Sequence, residues 1–357
     1  MPILTDRQSV PPALTARVDK SQDRILYALS EKDRAQFYPS YREGFPTSDQ
    51  QHQIDTGSFK SYPEWEDYLA QLRPTVMVSC WSTPPLPTKL LHTEALPLRY
   101  LCHTTGTVRR IVPREFLVGG GIVTNWGNVI SQNVAEHAVL LILSSLRNIT
   151  HWRAEMKKGH DCWGNGQLFG TRSLQGKKVG LHGFGNIAME LIRLLSPFNV
   201  EFLAFSQNVP HPYIKSKGVF PCADLKELFR KSDIIIECEA LTEHSRGSVT
   251  EELLRTMQDD SVFVNVGRGD VVDEKGMAAV AAEGRIRIAS DVFQREPLPK
   301  DSPLLNVDGV ILSPHIAGPA GDWFHRCGEY AMNNVARYLE GKPLLGEVTL
   351  EIYDRST

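Results

Sequence analysis

Three residues in the last third of the chain have types and surroundings suited to chemistry. Arg268 stands in Asn265-Val-Gly-Arg268-Gly-Asp, Glu296 in Asp291-Val-Phe-Gln-Arg-Glu296-Pro, and His315 in Ser313-Pro-His315-Ile-Ala-Gly318. An arginine just past a buried strand can grip a carboxylate through two parallel bonds and polarise a neighbouring carbonyl. A histidine titrates near neutrality, so it can give a proton to a carbonyl oxygen and take it back from the alcohol. A glutamate paired to that imidazole fixes its tautomer and stabilises its protonated form. Each residue alone has an ordinary reading. Arg268 could tie loop carbonyls, Glu296 could be a solvated turn residue, and His315 could be a satisfied, partly buried histidine. Their joint occurrence favours the chemical reading.

A second motif lies upstream, in Lys178-Val-Gly-Leu-His-Gly183-Phe184-Gly185-Asn186-Ile187-Ala188. It reads as a strand, a Gly-x-Gly-x-x-Ala turn and a helix. Gly183 permits the tight turn, Gly185 lets backbone approach a pyrophosphate, and the helix N-terminus offers free N–H groups to phosphate. Such a turn is not specific by itself, since methyltransferases carry similar ones; the flanking strand and amphipathic helix strengthen it. An acid that bonds the adenosine ribose is expected about 20 residues on, at the end of the second strand. That strand ends in Phe205-Ser206-Gln207. No carboxylate stands there to repel a 2′-phosphate and no arginine follows directly to bind one, so NAD and NADP both stay open, with a slight lean to NAD.

These motifs need elements to position them. Short apolar runs at Ile25–Leu29, Thr75–Cys80, Arg99–Cys102 and Gly121–Asn125 read as buried strands, and Asn133–Leu146 as a helix with apolar residues three and four apart. From Lys177 on, strands at Lys178–His182, Val200–Phe205, Asp233–Glu237, Ser261–Val266, Arg287–Val292 and Val310–Ser313 alternate with helices at Ile187–Leu195, Asp224–Lys231, Glu251–Met257 and Glu274–Glu283. This alternation predicts an α/β fold with doubly wound parallel sheets. A final helix, Asp322–Leu339, precedes a tail read as extended, Gly346–Ile352.

The chain has 357 residues, enough for two domains, and its 39 basic residues nearly balance 42 acidic ones. No net field draws it to nucleic acid or an anionic membrane. Its N-terminus lacks a signal-peptide pattern, and its most apolar stretch, Ala138–Leu143, is too short to span a bilayer. Six scattered cysteines without a C-x-x-C pair argue against a metal site and fit a reducing cytoplasm.

The catalytic segments and the glycine turn, taken together, resemble the D-isomer-specific 2-hydroxyacid dehydrogenases from about Gly120 to Pro343, including Asn133-Val-Ala-Glu-His137. The resemblance implies hydride transfer between a nicotinamide cofactor and C2 of a D-2-hydroxy or 2-oxo acid, with Arg268, Glu296 and His315 as catalytic set. It places the cofactor against Gly183, Phe184, Gly185, Asn186, Ile187, Ser206, Cys238, Thr242, Val266, Arg268, Asp291, His315 and Gly318, with Asp291 at the nicotinamide end. Substrate would meet Arg268, His315 and the loop of Thr105, Gly106 and Thr107. The fold it implies is two Rossmann-like domains around a cleft: a dinucleotide domain, 131–317, and a discontinuous substrate domain, 1–130 plus 318–357. Homodimers joined through the helix at Asn133–Leu146 are also implied. Two departures stand out. Val108-Arg109-Arg110 replaces the usual glycine-rich continuation of the substrate loop, so Arg109 or Arg110 could read a second anionic group or simply be surface charge. Cys238 and Ala240 replace a usual histidine and proline, and Cys238 reads best as a small filler. The rival reading is a dinucleotide-sensing, corepressor-like scaffold without turnover.

Overall fold

A computed structural model of the chain describes residues 23–158 and 170–355, apart from His92 and Asn208. The N-terminal residues 1–22, and Cys162 with the rest of 159–169, lie outside the described residues.

Two parallel sheets carry the fold. The first takes strands β1 (Ile25–Leu29), β2 (Gln51–Asp55), β3 (Val76–Ser79), β4 (Tyr100–His103) and β5 (Ile122–Thr124), in the order β2-β1-β3-β4-β5. The second takes β6 (Lys178–His182), β7 (Glu201–Phe205), β8 (Phe220–Pro221), β9 (Ile234–Glu237), β10 (Val262–Asn265), β11 (Arg287–Ser290) and β12 (Ile311–Leu312), in the order β12-β11-β10-β9-β6-β7-β8. Both sheets are covered on both faces, which is why β9 and β10 are apolar up to their last residues, Glu237 and Asn265, and bury every residue. The strand order of the second sheet reverses between β6 and β9, all strands staying parallel. A crevice at the carboxyl ends of strands is expected at such a switch point.

Helix Ser131–Arg147 packs with helix Asn186–Leu195 on one face of the second sheet. Helix Phe324–Leu339 returns to the first sheet and packs on β4 and on helix Glu31–Phe37. Three features differ from expectation. Strand β2, Gln-His-Gln-Ile-Asp, is a polar edge strand paired to β1 alone, so it lacks the apolar run that marks its neighbours. Strand β8 is a two-residue edge pairing. The tail is extended only at its start, where Glu347 bridges to Thr124 and the Val348 N–H donates to Val123 O, 2.8 Å. It then turns helical over Leu350–Arg355. The Thr349 hydroxyl takes the Ile352 N–H, while Tyr353 buries its ring in the first core and donates its hydroxyl to Val112 O.

Candidate active site

The turn after β6 is built by close packing. Gly183 has φ +102°, and a Cβ there would lie 2.7 Å from the Glu239 backbone, so only glycine fits. A Cβ on Gly185 would meet nothing within 4 Å, and helix Asn186–Leu195 starts directly after it. The Phe184 side chain turns into the core. Cys238 leans its thiol on Gly183 O at 3.7 Å, and burial raises the thiol well above its ordinary value, keeping it protonated as filler. Thr242 is held in a turn with Ser245, and Val266 is buried at the end of β10.

Beneath this turn lies a buried ion pair. His182 closes β6, Glu237 closes β9, and the imidazole Nδ1 meets the Glu237 carboxylate. Burial alone would lower the His182 pKa, but the charge and bond of Glu237 lift it above the usual value. The other Glu237 oxygen accepts the Glu239 N–H at 2.8 Å. The Glu239 carboxylate in turn accepts the Ser206 hydroxyl at 2.7 Å. An acid therefore does stand at the end of β7, supplied from the loop after β9.

Arg268 follows β10 in the loop Gly267–Gly269. A Cβ on Gly269 would overlap the Phe293 carbonyl, at 1.9 Å from its carbon, so this loop lies tightly on the segment that leads to Glu296. Burial pulls the Arg268 guanidinium below its ordinary pKa, and the Glu296 charge opposes that pull. Arg268 donates to Gly267 O at 2.8 Å. Together with Gly106, Thr107, Ile187 and Glu239 it lines a cavity of about 380 Å³ to which Ile352 of the tail also contributes.

Glu296 and His315 meet directly, with Glu296 Oε2 2.7 Å from His315 Nδ1. The second Glu296 oxygen accepts the Phe293 N–H, so the carboxylate is oriented from behind. His315 is exposed and takes a left-handed φ of +53°, uncommon for a residue with a side chain. Asp291 holds that conformation. Its backbone O accepts the His315 N–H at 2.8 Å, and its buried carboxylate accepts the Ile316 and Ala317 N–H groups and the Ser313 hydroxyl. His137 of helix Ser131–Arg147 meets the same Ser313 hydroxyl at 2.9 Å. His315 opens on a neighbouring, mostly apolar cavity of about 550 Å³ lined by Phe293, Leu298, Leu305 and Leu312. Gly318 follows this loop.

The substrate-loop residues sit at the end of β4. Thr105 is fully buried and its hydroxyl meets His103 Nε2 at 2.7 Å, while Ser79 meets His103 Nδ1 at 2.9 Å. Thr105 itself does not line the cavity beside Arg268. Gly106 and Thr107 reach the cavity, and Asn125 holds Gly106 O at 2.8 Å. Exposed Arg109 lies over the Tyr353 ring, 5.4 Å from its centroid.

A family model described as D-isomer specific 2-hydroxyacid dehydrogenase, NAD binding domain, matches residues 139–317. The chain belongs to this family. It is an oxidoreductase of 2-hydroxy acids that works with a nicotinamide cofactor. It is 30% identical to a glyoxylate reductase of Thermofilum pendens over 78% of this chain and 83% of the relative. It is 32% identical to a D-3-phosphoglycerate dehydrogenase of Methanocaldococcus jannaschii over 62% of this chain, but the match spans only 42% of that relative. In fold it resembles the D-mandelate dehydrogenase of Rhodotorula graminis, with TM-score 0.75 at 20% identity, covering 91% of this chain and 97% of the other.

The residues of this dehydrogenase fit a dinucleotide. The glycine turn is clear of side chains at Gly185, and a helix N-terminus lies behind it. Three further residues shape the site without a local signal of their own. His137 lies in a helix far from Ser313 in sequence, Glu237 ends an otherwise apolar strand, and Glu239 lies in the loop after β9, away from the end of β7 where the dinucleotide pattern places its acid.

Proposed function

We propose that the chain interconverts a small 2-oxo acid and its D-2-hydroxy acid, with Arg268 as carboxylate anchor, His315 as proton donor and acceptor, and Glu296 as the group that orients His315. The observation that carries this reading is the 2.7 Å contact between Glu296 and His315 on a loop clamped by Asp291. With Glu296 on Nδ1, the opposite nitrogen, Nε2, faces outward to exchange a proton with substrate oxygen. Arg268, half buried and next to the Gly106–Thr107 loop, is placed to hold the acid group and polarise the C2 carbonyl. A bound nicotinamide supplies or accepts the hydride. The turn at 183–187, the 238–242 loop, Val266 and Gly318 would hold the cofactor, with Asp291 bordering its nicotinamide end.

The named relatives act on glyoxylate, hydroxypyruvate and 3-phosphoglycerate. Of these, glyoxylate and hydroxypyruvate are short 2-oxo acids, and acids of that kind are the first substrates to try in the direction of reduction. The division into a dinucleotide domain, 131–317, and a substrate domain, 1–130 plus 318–357, is supported by the helix Phe324–Leu339 packing on β4 and by the Glu347–Thr124 bridge. A second copy would meet helix Ser131–Arg147, where Leu140 is exposed, as are Ile149, Trp152 and Met156 in the helix that follows it, Ile149–Lys158. The five described cysteines are all free, in keeping with a reducing, cytoplasmic setting. Among the described residues no helix is long and apolar enough to cross a membrane.

The test is a panel of 2-oxo acids assayed with both reduced cofactors, read by loss of nicotinamide absorbance. At least one short 2-oxo acid is expected to turn over. Tight NADH binding without turnover of any member would replace this reading with that of a dinucleotide sensor.

A further inference from the structure

Strand β7 ends in Ser206, which carries no charge, yet a carboxylate occupies its surroundings. The strand order places β9, β6 and β7 side by side. Glu239 leaves the end of β9, its backbone lies against Gly183 at the end of β6, and its carboxylate reaches Ser206 past the end of β7. The acid thus spans the mouth of the dinucleotide turn from the opposite side. Three contacts fix it. Glu237, locked to His182, takes the Glu239 N–H; Ser206 donates to Oε2; and the Ala240 N–H donates to Oε1 at 3.0 Å.

A carboxylate has about four lone-pair sites. Two are filled here, which leaves acceptor capacity for a vicinal pair of ribose hydroxyls. A 2′-phosphate brought to the same place would set two negative groups together in a partly buried position, where screening is weak.

We propose that Glu239, oriented by Ser206, is the residue that reads the adenosine ribose and selects NAD(H) over NADP(H). The proposal rests on the dehydrogenase reading above. In it, the selecting acid comes from the loop after β9 instead of the end of β7, and Ser206 serves as its hydrogen-bond donor.

The experiment is calorimetric titration of wild type, Glu239→Gln and Ser206→Ala with NADH and NADPH. ADP-ribose and its 2′-phosphate form a second ligand pair that needs no nicotinamide contact. Wild type should bind NADH at least about tenfold tighter than NADPH, and Glu239→Gln should cut that ratio by about tenfold, chiefly by tightening NADPH. Ser206→Ala keeps the charge but frees it to swing, so its ratio should fall between the two. The ADP-ribose pair should follow the same order. An unchanged ratio in a Glu239→Gln protein that still binds NADH, or a wild type that prefers NADPH, would overturn the assignment while leaving the dehydrogenase reading intact. Failure of wild type to bind either dinucleotide would overturn both.

Discussion

Both sheets end their strands in buried polar residues, but of different kinds. At the carboxyl edge of the first sheet the groups are neutral and satisfy one another. Ser79 and Thr105 bracket His103, Tyr38 bonds Thr104, and Tyr100 bonds Thr124. At the carboxyl edge of the second sheet they are charged: His182 with Glu237, then Glu239, Arg268, Asp291, and Glu296 with His315. Charge is costly to bury unless it is paired or used. Its concentration on one side of the cleft marks where proton and hydride chemistry belongs. The neutral side offers shape and backbone N–H groups.

The comparison can be broken most sharply at His315. His315→Gln should lower kcat by about 10²–10⁴, the usual contribution of a general acid–base group, while the NADH Kd stays within a few-fold. Retention of more than half of wild-type kcat would remove the charged edge from the chemistry.

The neutral edge should reveal itself in stability instead. Burial lowers the His103 pKa from 6.5 to about 4, a shift that its contact with the Thr107 backbone only partly opposes. The folded state therefore keeps His103 neutral while the unfolded chain takes up a proton below about pH 6.5. The resulting stabilisation is complete above that pH and is lost as pH falls from about 6.5 to 4, on the order of 3 kcal/mol in all. Urea unfolding at pH 7 and pH 5 should show this loss in wild type and a flatter dependence in His103→Gln. Equal slopes in the two proteins would mean that His103 titrates normally.

Smaller effects sharpen the division of labour within the charged edge. Arg268→Lys keeps the charge but loses the planar fork, and kcat/KM for the best 2-oxo acid should fall about ten- to a hundredfold. An unchanged kcat/KM would make Arg268 a loop brace. Glu296→Gln keeps an acceptor for His315 but removes the charge, and should reduce kcat about tenfold with KM nearly constant. A change confined to KM would place Glu296 in substrate binding.

Much of this protein was legible in the order of its residues. Parallel strands buried on both faces are largely apolar runs, so all strands but β2 and β8, two of the four edge strands, declared themselves, as did helix Ser131–Arg147. The glycine turn and the segments around Arg268, Glu296 and His315 are local signals, because each depends on backbone geometry within a few residues. What lay beyond the sequence were contacts between residues far apart in it. The Thr349-capped helix depends on Tyr353 finding the core beside Val112. The clamp on His315 depends on Asp291 and His137 converging on Ser313. The acid at the end of β7 belongs to Glu239, which reaches Ser206 only because β9 and β7 flank β6. Strand order is set by which apolar faces pack together, and no local pattern carries that information.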